Sequence, residues 1–114
     1  MRIRMPAAVL AGGASRRMGR PKAALPYGAG TLLEFQVAKL SEIFEDVFVV
    51  AKEASRAAGS ARVILDGVPE HAAIHGLARA LEEAKDRVFV LAVDLPAVPP
   101  VLIRAIAARG LETP

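Results

Sequence analysis

The chain contains no cysteine and no tryptophan, and among its 114 residues it has one tyrosine and four phenylalanines. Without cysteine it can form no disulfide framework, zinc–cysteine site, iron–sulfur cluster or thiol nucleophile. So few aromatic rings leave little surface on which single-stranded nucleic acid could stack. No apolar run approaches the roughly 18 residues of a membrane span. We therefore expect neither a nucleic acid nor a membrane as partner.

The residues that are present indicate one globular domain over residues 1–114, because 54% are hydrophobic and 24% are charged. The formal net charge of +3 is concentrated near the amino terminus, where the first 22 residues include no acid. The basic residues there are Arg2, Arg4, Arg16, Arg17, Arg20 and Lys22. No apolar stretch follows them that would suit a secretory or twin-arginine signal. We therefore expect a cytoplasmic protein.

Short apolar runs alternate with segments of helical period. The runs at residues 7–11, 46–51, 62–65 and 87–93 are rich in hydrophobic and β-branched residues, which predicts four strands. The near-continuous hydrophobicity of the last run is typical of a strand covered on both faces. The alternation predicts an α/β fold, with an open, mostly parallel sheet and helices on both of its faces.

Four helices are predicted between and after these strands. Thr31 and Glu34 form a capping box that predicts the start of the first helix. The first helix carries the apolar stripe Leu33, Val37, Leu40 and Phe44, and the third carries Ile74, Leu77, Leu81 and Ala84. The second is a short helix at residues 53–58 that stops at Gly59, and the last covers residues 101–109 and ends at Gly110.

Ligands of open parallel sheets bind beyond the carboxyl ends of the strands, so the segment after the first strand is a candidate site. Residues 10–22, which we call the signature loop, hold three glycines, a serine and several basic side chains. Backbone N–H groups in such a turn can form an anion-binding nest. The loop suits a polyanion such as a nucleoside triphosphate, although it matches neither the Walker A nor the dinucleotide pattern. The alternative is a solvated basic turn that needs glycine only for its geometry.

Two aspartates follow other predicted strands. Asp94 comes after the most hydrophobic run and precedes Leu95 and Pro96, where an exposed carboxylate could bind Mg²⁺ together with ligand phosphates. The alternative is an aspartate that only starts a turn before proline. Asp66 follows residues 62–65 and precedes Gly67, and an Asp-Gly turn is the alternative there.

The signature loop, Leu-Ala-Gly-Gly-Ala-Ser-Arg-Arg-Met-Gly-Arg-Pro-Lys, resembles the nucleotide-binding signature of the molybdenum cofactor guanylyltransferases and the related molybdenum cofactor nucleotidyltransferases. The resemblance implies a Rossmann-like nucleotidyltransferase fold. It also implies transfer of GMP from GTP to the phosphate of molybdopterin, with Mg²⁺ as cofactor and pyrophosphate as the second product. Nothing after Arg109 matches the acceptor-binding part of that family. The resemblance therefore describes a short form, which could act as a homo-oligomer or with a completing protein partner.

The resemblance also assigns the site residues. The nucleotide-binding residues are Leu10, Ala11, Gly12, Gly13, Ser15, Arg17, Gly19, Lys22, Asp66 and Gly76. The catalytic residues are Arg17, Lys22 and Asp94. Asp94 is also the metal ligand, and Arg17 and Lys22 hold the β- and γ-phosphates.

Two departures from the family pattern leave the nucleobase open. The family segment Pro-Leu-x-Gly corresponds here to residues 73–76, which keep Gly76 and lack the proline. A family asparagine is replaced by Ala51. Alternative readings are therefore a cytidylyltransferase, a sugar-phosphate nucleotidyltransferase, or a nucleotide-binding module that does not complete the reaction.

Overall fold

The computed structural model describes residues 1–11, 25–52, 61–66 and 73–112. The strands are β1 (Ile3–Leu10), β2 (Pro26–Tyr27), β3 (Gly30–Thr31), β4 (Phe44–Ala51), β5 (Arg62–Leu65) and β6 (Phe89–Ala92). The helices are α1 (Leu32–Ser41), α2 (Ala73–Ala84) and α3 (Pro100–Glu112). The predicted helix at residues 53–58 lies outside the described residues.

The sheet confirms the predicted α/β class. Its four strands lie in the order β5-β4-β1-β6, and every neighbouring pair is parallel. Leu10 is paired with Val50 on one side and Ala92 on the other, while Ala51 is paired with Leu65. The carboxyl ends of all four strands therefore lie along one edge of the sheet.

A short antiparallel hairpin, β2 with β3, precedes α1 and was not predicted from the sequence. Its turn contains Gly28 at a φ of 61°, a conformation that glycine adopts without a Cβ penalty. Helix α1 then begins with the predicted capping box: Thr31 Oγ1 accepts from the Glu34 N–H, and Glu34 Oε1 accepts from the Thr31 N–H. Helix α1 ends at Ser41, so Phe44 belongs to β4 and not to the helical stripe.

Helices cover both faces of the sheet, as predicted. Successive residues of a strand point to opposite faces, and Val9 and Ala8 of β1 are buried in separate core clusters. Helices α1 and α3 cover the larger cluster through Leu33, Leu40, Ile103 and Ala107. The smaller cluster contains Ala80 of α2 packed with Ala8, Phe48 and Val50.

Helix α2 forms where the sequence predicts it, but its large apolar residues do not face the sheet. Ile74, Leu77 and Leu81 are 63%, 37% and 51% exposed, whereas Ala80 is fully buried. Arg79 Nε donates to the carbonyl of Leu65 at 3.1 Å, which ties one flank of α2 to β5. The 3.6-residue period then places the three large residues on the opposite flank.

Helix α3 continues past Gly110, which the sequence predicts as its end. Arg87 Nη1 donates to the carbonyls of Gly110 at 2.8 Å and Leu111 at 3.1 Å, satisfying two of the carbonyls that a helix leaves open at its end. At 13 residues α3 is the longest helix in the described ranges. None of the helices in those ranges has the length and apolar character needed to cross a bilayer.

Candidate functional site

Backbone hydrogen bonds continue past the strand ends and bring several candidate residues to the same edge of the sheet. The Ala11 N–H donates to the Val50 carbonyl at 2.8 Å, and the Val93 N–H donates to the Leu10 carbonyl at 3.1 Å. The Asp66 N–H donates to the Ala51 carbonyl at 3.1 Å. The start of the signature loop therefore leaves the sheet between the chain segments that lead to Asp66 and to Asp94.

Asp94 is exposed in a turn immediately after β6, where the Leu95 N–H donates to the Ala92 carbonyl at 3.2 Å. An exposed carboxylate at this position offers hard oxygen ligands, which Mg²⁺ prefers, without the cost of burying an isolated charge. Among the described residues, no three His, Cys, Asp or Glu side chains cluster in a way that could hold a metal ion. Mg²⁺ in proteins usually binds through one or two carboxylates and takes its other ligands from phosphate oxygens and waters.

Helix α1 holds the segment that carries Asp94. Gln36 is fully buried, and its Nε2 donates to the Val93 carbonyl at 3.1 Å. Lys39 Nζ donates to the carbonyls of Pro96 at 3.1 Å and Val98 at 2.9 Å. Burial lowers the pKa of Lys39 below its ordinary value.

Neither Gln36 nor Lys39 belongs to the site residues predicted from the sequence. Gln36 follows Leu33 by three positions and precedes Leu40 by four, so it lies on the buried face of α1. A polar residue at such a position needs a hydrogen-bond partner, and that requirement is the sequence signal that could have identified it.

Asp66 lies beside Lys52, the residue that follows β4. Lys52 Nζ lies 3.1 Å from Asp66 Oδ1 and 3.0 Å from Oδ2, and the two side chains are 13% and 4% exposed. The carboxylate predicted to contact the nucleotide is thus largely buried and bound to an ammonium group. The sequence alone does not reveal which acid Lys52 pairs with.

Gly76 lies in α2 against the end of β1. A Cβ at this position would stand 3.4 Å from Leu10 Cδ2 and 3.7 Å from Leu10 Cδ1. The absence of a side chain lets the beginning of α2 approach Leu10 closely. Two of the predicted nucleotide-binding residues, Leu10 and Gly76, are therefore neighbours in the fold.

The structure thus brings Leu10, Ala11, Asp66, Gly76 and Asp94 to the carboxyl side of the sheet. The remaining predicted site residues lie outside the described residues, and their roles stay predictions. They are Gly12, Gly13, Ser15, Arg17, Gly19 and Lys22.

Curated proteins of similar sequence indicate the family of this chain. The chain is 43% identical over 112 residues to a probable molybdenum cofactor guanylyltransferase of Mycobacterium avium, an alignment that covers 92% of this chain and 57% of the relative. The chain thus spans little more than half the length of that curated relative.

Solved structures show the same fold. The protein Rv0371c of Mycobacterium tuberculosis superposes with a TM-score of 0.78 at 27% identity, covering 97% of this chain and 63% of that one. A structure of the same protein in complex with manganese gives a TM-score of 0.66 at 26% identity, covering 97% and 61%. A nucleotidyl transferase of Methanothermobacter gives 0.69 at 28% identity, covering 91% and 57%.

The family model of the MobA-like NTP transferase domain matches residues 7–114, from within β1 to the last residue. The match includes the signature loop, the second half of β1 and the other three strands of the parallel sheet. The chain therefore belongs to the family of MobA-like NTP transferase domains.

Proposed function

We propose that the protein is a Mg²⁺-dependent nucleotidyltransferase that transfers GMP from GTP to the phosphate of molybdopterin and releases pyrophosphate. The observation that carries the proposal is the hydrogen bond from the Val93 N–H to the Leu10 carbonyl, 3.1 Å long. It joins the residue before Asp94 to the first residue of the signature loop. An exposed carboxylate and the start of a glycine-rich basic loop thus lie side by side, as metal-assisted phosphate chemistry requires.

In this proposal Asp94 holds Mg²⁺ and the signature loop holds the triphosphate. Arg17 and Lys22 neutralise charge on the β- and γ-phosphates, while Asp66 and Gly76 lie toward the base and ribose. The other nucleotide-binding residues are Leu10, Ala11, Gly12, Gly13, Ser15 and Gly19. When bound, the metal would stabilise the charge on the phosphate oxygens.

The chemistry needs no general base from the protein. A phosphate monoester has a second pKa of about 6, so the acceptor oxygen is ionised near neutral pH. This oxygen forms a bond to the α-phosphorus while the bond from that phosphorus to the bridging oxygen breaks, and pyrophosphate leaves with the electron pair. The residues of the chain hold the two reactants in line and stabilise the leaving group.

We place residues 1–114 in one nucleotide-binding domain of a cytoplasmic protein. Because the chain spans 57% of the Mycobacterium avium relative, acceptor binding is a proposal for the whole protein. A homo-oligomer or a second protein could contribute to the acceptor pocket. The same partial coverage favours a second candidate function, a module that binds the nucleotide without completing the transfer.

A pyrophosphate-release assay tests the proposal. The purified chain is given GTP, CTP, ATP or UTP, each with Mg²⁺ and with either molybdopterin or a sugar 1-phosphate as acceptor, and release with GTP and molybdopterin is expected. Release with CTP would indicate a cytidylyltransferase, and release only with a sugar-1-phosphate acceptor would indicate a sugar-phosphate nucleotidyltransferase. Nucleotide binding without release under every condition would support the module.

Single substitutions test the roles proposed for Asp94 and Lys22. Asp94→Asn and Lys22→Ala should abolish pyrophosphate release and leave the circular dichroism spectrum unchanged. Asp46→Asn is the matched control, because Asp46 is an exposed carboxylate on β4 that pairs with Arg62 at 3.4 Å. Turnover at the wild-type rate in Asp94→Asn or Lys22→Ala would contradict the assignment of that residue.

A further inference from the structure

Two side chains of α1 contact the backbone of the segment that carries Asp94. Gln36 Nε2 donates to the Val93 carbonyl, directly before Asp94. Lys39 Nζ donates to the carbonyls of Pro96 and Val98, two and four residues after it. Gln36 and Lys39 are three residues apart on the helix and therefore neighbours on its surface. One helix thus fixes the backbone on both sides of the exposed carboxylate.

Prolines reduce the number of backbone donors in this segment. Residues 93–99 lie between β6 and α3 and include Pro96 and Pro99, which have no N–H to donate. Among the described residues, the Val93 and Leu95 N–H groups donate to backbone carbonyls, and the Pro99 carbonyl accepts from the Leu102 and Ile103 N–H groups at the start of α3. The carbonyls that Gln36 and Lys39 satisfy would otherwise have to find water or another donor. Gln36 and Lys39 therefore help to fix the backbone from which the Asp94 side chain leaves.

Burial makes these contacts stronger than ordinary surface contacts. Gln36 is fully buried and Lys39 is partly buried, so the hydrogen bonds form where water competes poorly. Among the described residues Gln36 Oε1 has no hydrogen-bond partner, although the atom is buried. An amide kept in the core at that cost is consistent with a requirement for its donor. An apolar residue of similar volume would bury no unpaired amide oxygen, but it would leave the Val93 carbonyl without the Gln36 donor.

We propose that Gln36 and Lys39 are positioning residues, which orient Asp94 for the metal–nucleotide complex through the backbone of residues 93–98. Neither side chain is assigned a contact with the ligand. The inference rests on the proposed function, because it requires Asp94 to hold the metal. Substitution of a residue that orients a metal ligand typically weakens metal affinity about tenfold to a hundredfold.

The test measures the affinity for Mn²⁺ in the presence of GTP and without acceptor, by electron paramagnetic resonance. Lys39→Met keeps the length of the side chain and removes all donors, and Gln36→Met does the same in the core. Each should weaken Mn²⁺ binding about tenfold. Lys39→Arg should restore most of the affinity, because a guanidinium can donate to both carbonyls.

Arg104→Met is the matched control. Arg104 also donates to backbone carbonyls, those of Met1 at 3.3 Å and Glu42 at 3.5 Å, but at the opposite edge of the sheet from Asp94. It should leave Mn²⁺ affinity unchanged while lowering the unfolding temperature by an amount similar to that of Lys39→Met. If Arg104→Met and Lys39→Met lose the same Mn²⁺ affinity, the loss reflects general destabilisation of the fold, and the inference is overturned.

The outcomes separate the inference from the proposed function. The proposed function is contradicted if the wild-type chain binds no Mn²⁺ in the presence of GTP, or if the Asp94→Asn variant binds Mn²⁺ as tightly as wild type. Either result also overturns the inference. Binding that Asp94→Asn abolishes, and that Lys39→Met and Gln36→Met leave intact, overturns the inference alone. In active preparations, a positioning role should also raise the KM for the metal–nucleotide in Lys39→Met, while Lys39→Arg stays close to wild type.

Discussion

Lys52 and Asp66 form an ion pair across the ends of two neighbouring strands, with Nζ 3.0 Å from Oδ2 and 3.1 Å from Oδ1. The side chains are 13% and 4% exposed, so water screens the pair poorly. Charges with so little hydration are tolerated when each has the other as partner. A nucleotide that reaches this edge of the sheet therefore meets a neutralised pair and not an isolated carboxylate.

The Lys52→Met variant should lose stability, because it leaves the Asp66 carboxylate buried without its cation. Breaking a buried pair in this way costs about 3 kcal/mol in the free energy of unfolding. Urea denaturation measures the change. Asp46→Asn is the control, since it breaks the pair with Arg62 in which the side chains are 58% and 49% exposed, and an exposed pair contributes less than about 1 kcal/mol. Similar losses of unfolding free energy in the two variants would show that burial does not increase the contribution of the Lys52–Asp66 pair to stability.

Substitutions of Gly76 should depend on the size of the new side chain. In Gly76→Ala the new Cβ would stand 3.4 Å from Leu10 Cδ2, which requires only a small adjustment. The better helix propensity of alanine offsets this adjustment, so stability should change by less than about 1 kcal/mol. Gly76→Leu should instead displace Leu10 and cost about 1–3 kcal/mol, the usual range for overpacking.

The same pair of variants tests the contact of Gly76 with the nucleotide site. Because Leu10 starts the signature loop, Gly76→Leu should raise the KM for the nucleotide, and Gly76→Ala should leave it near the wild-type value. Steady-state pyrophosphate release gives the KM, and thermal unfolding gives the stability of each variant. An unchanged KM in Gly76→Leu would show that the contact between Gly76 and Leu10 does not affect nucleotide binding.

Stability should depend on pH through Lys39. Burial lowers the pKa of its ammonium group below the ordinary value of 10.5, so the folded chain releases this proton at a lower pH than the unfolded chain does. Between the two pKa values the unfolded chain binds more protons, and the free energy of unfolding rises with pH. The cost of burying the charge is therefore fully present below the folded pKa and is relieved as the pH approaches 10.5.

The measurement compares wild type with Lys39→Met at about pH 8 and at a pH close to the ordinary lysine pKa of 10.5. The stability of wild type relative to the variant should increase at the higher pH. Lys39→Arg should show no such increase, because a guanidinium does not titrate in this range. Parallel pH profiles for wild type and Lys39→Met would contradict the expected direction.

The sequence predicts those parts of the fold that local patterns control. The apolar runs locate β1, β4, β5 and β6, and Thr31 with Glu34 marks the start of α1. The strand-end rule of parallel sheets then predicts that Asp66 and Asp94 lie at one edge. These predictions succeed because each depends on residues within a few positions of one another, or on a general rule of topology.

Contacts between distant segments could not be predicted. Lys52 meets Asp66 because β4 and β5 pair in one particular register, and Gln36 meets Val93 across 57 positions. The sequence also places the end of α3 too early, because Arg87 donates to the carbonyls of Gly110 and Leu111. In each case a long side chain binds a carboxylate or a backbone carbonyl that only the folded chain brings within reach.

The orientation of α2 provides a further stability prediction. A helical stripe of large apolar residues ordinarily faces the core, but here Ala80 does so, and Leu81 is 51% exposed. Leu81→Gln should therefore cost less than about 1 kcal/mol, far from the 2–5 kcal/mol typical of a truncated core leucine. Ala80→Leu should cost about 1–3 kcal/mol, because the added atoms enter the contact with Ala8 and Phe48. Urea denaturation of the two variants distinguishes the orientations: a larger loss in Leu81→Gln than in Ala80→Leu would mean that α2 turns its stripe toward the sheet in solution.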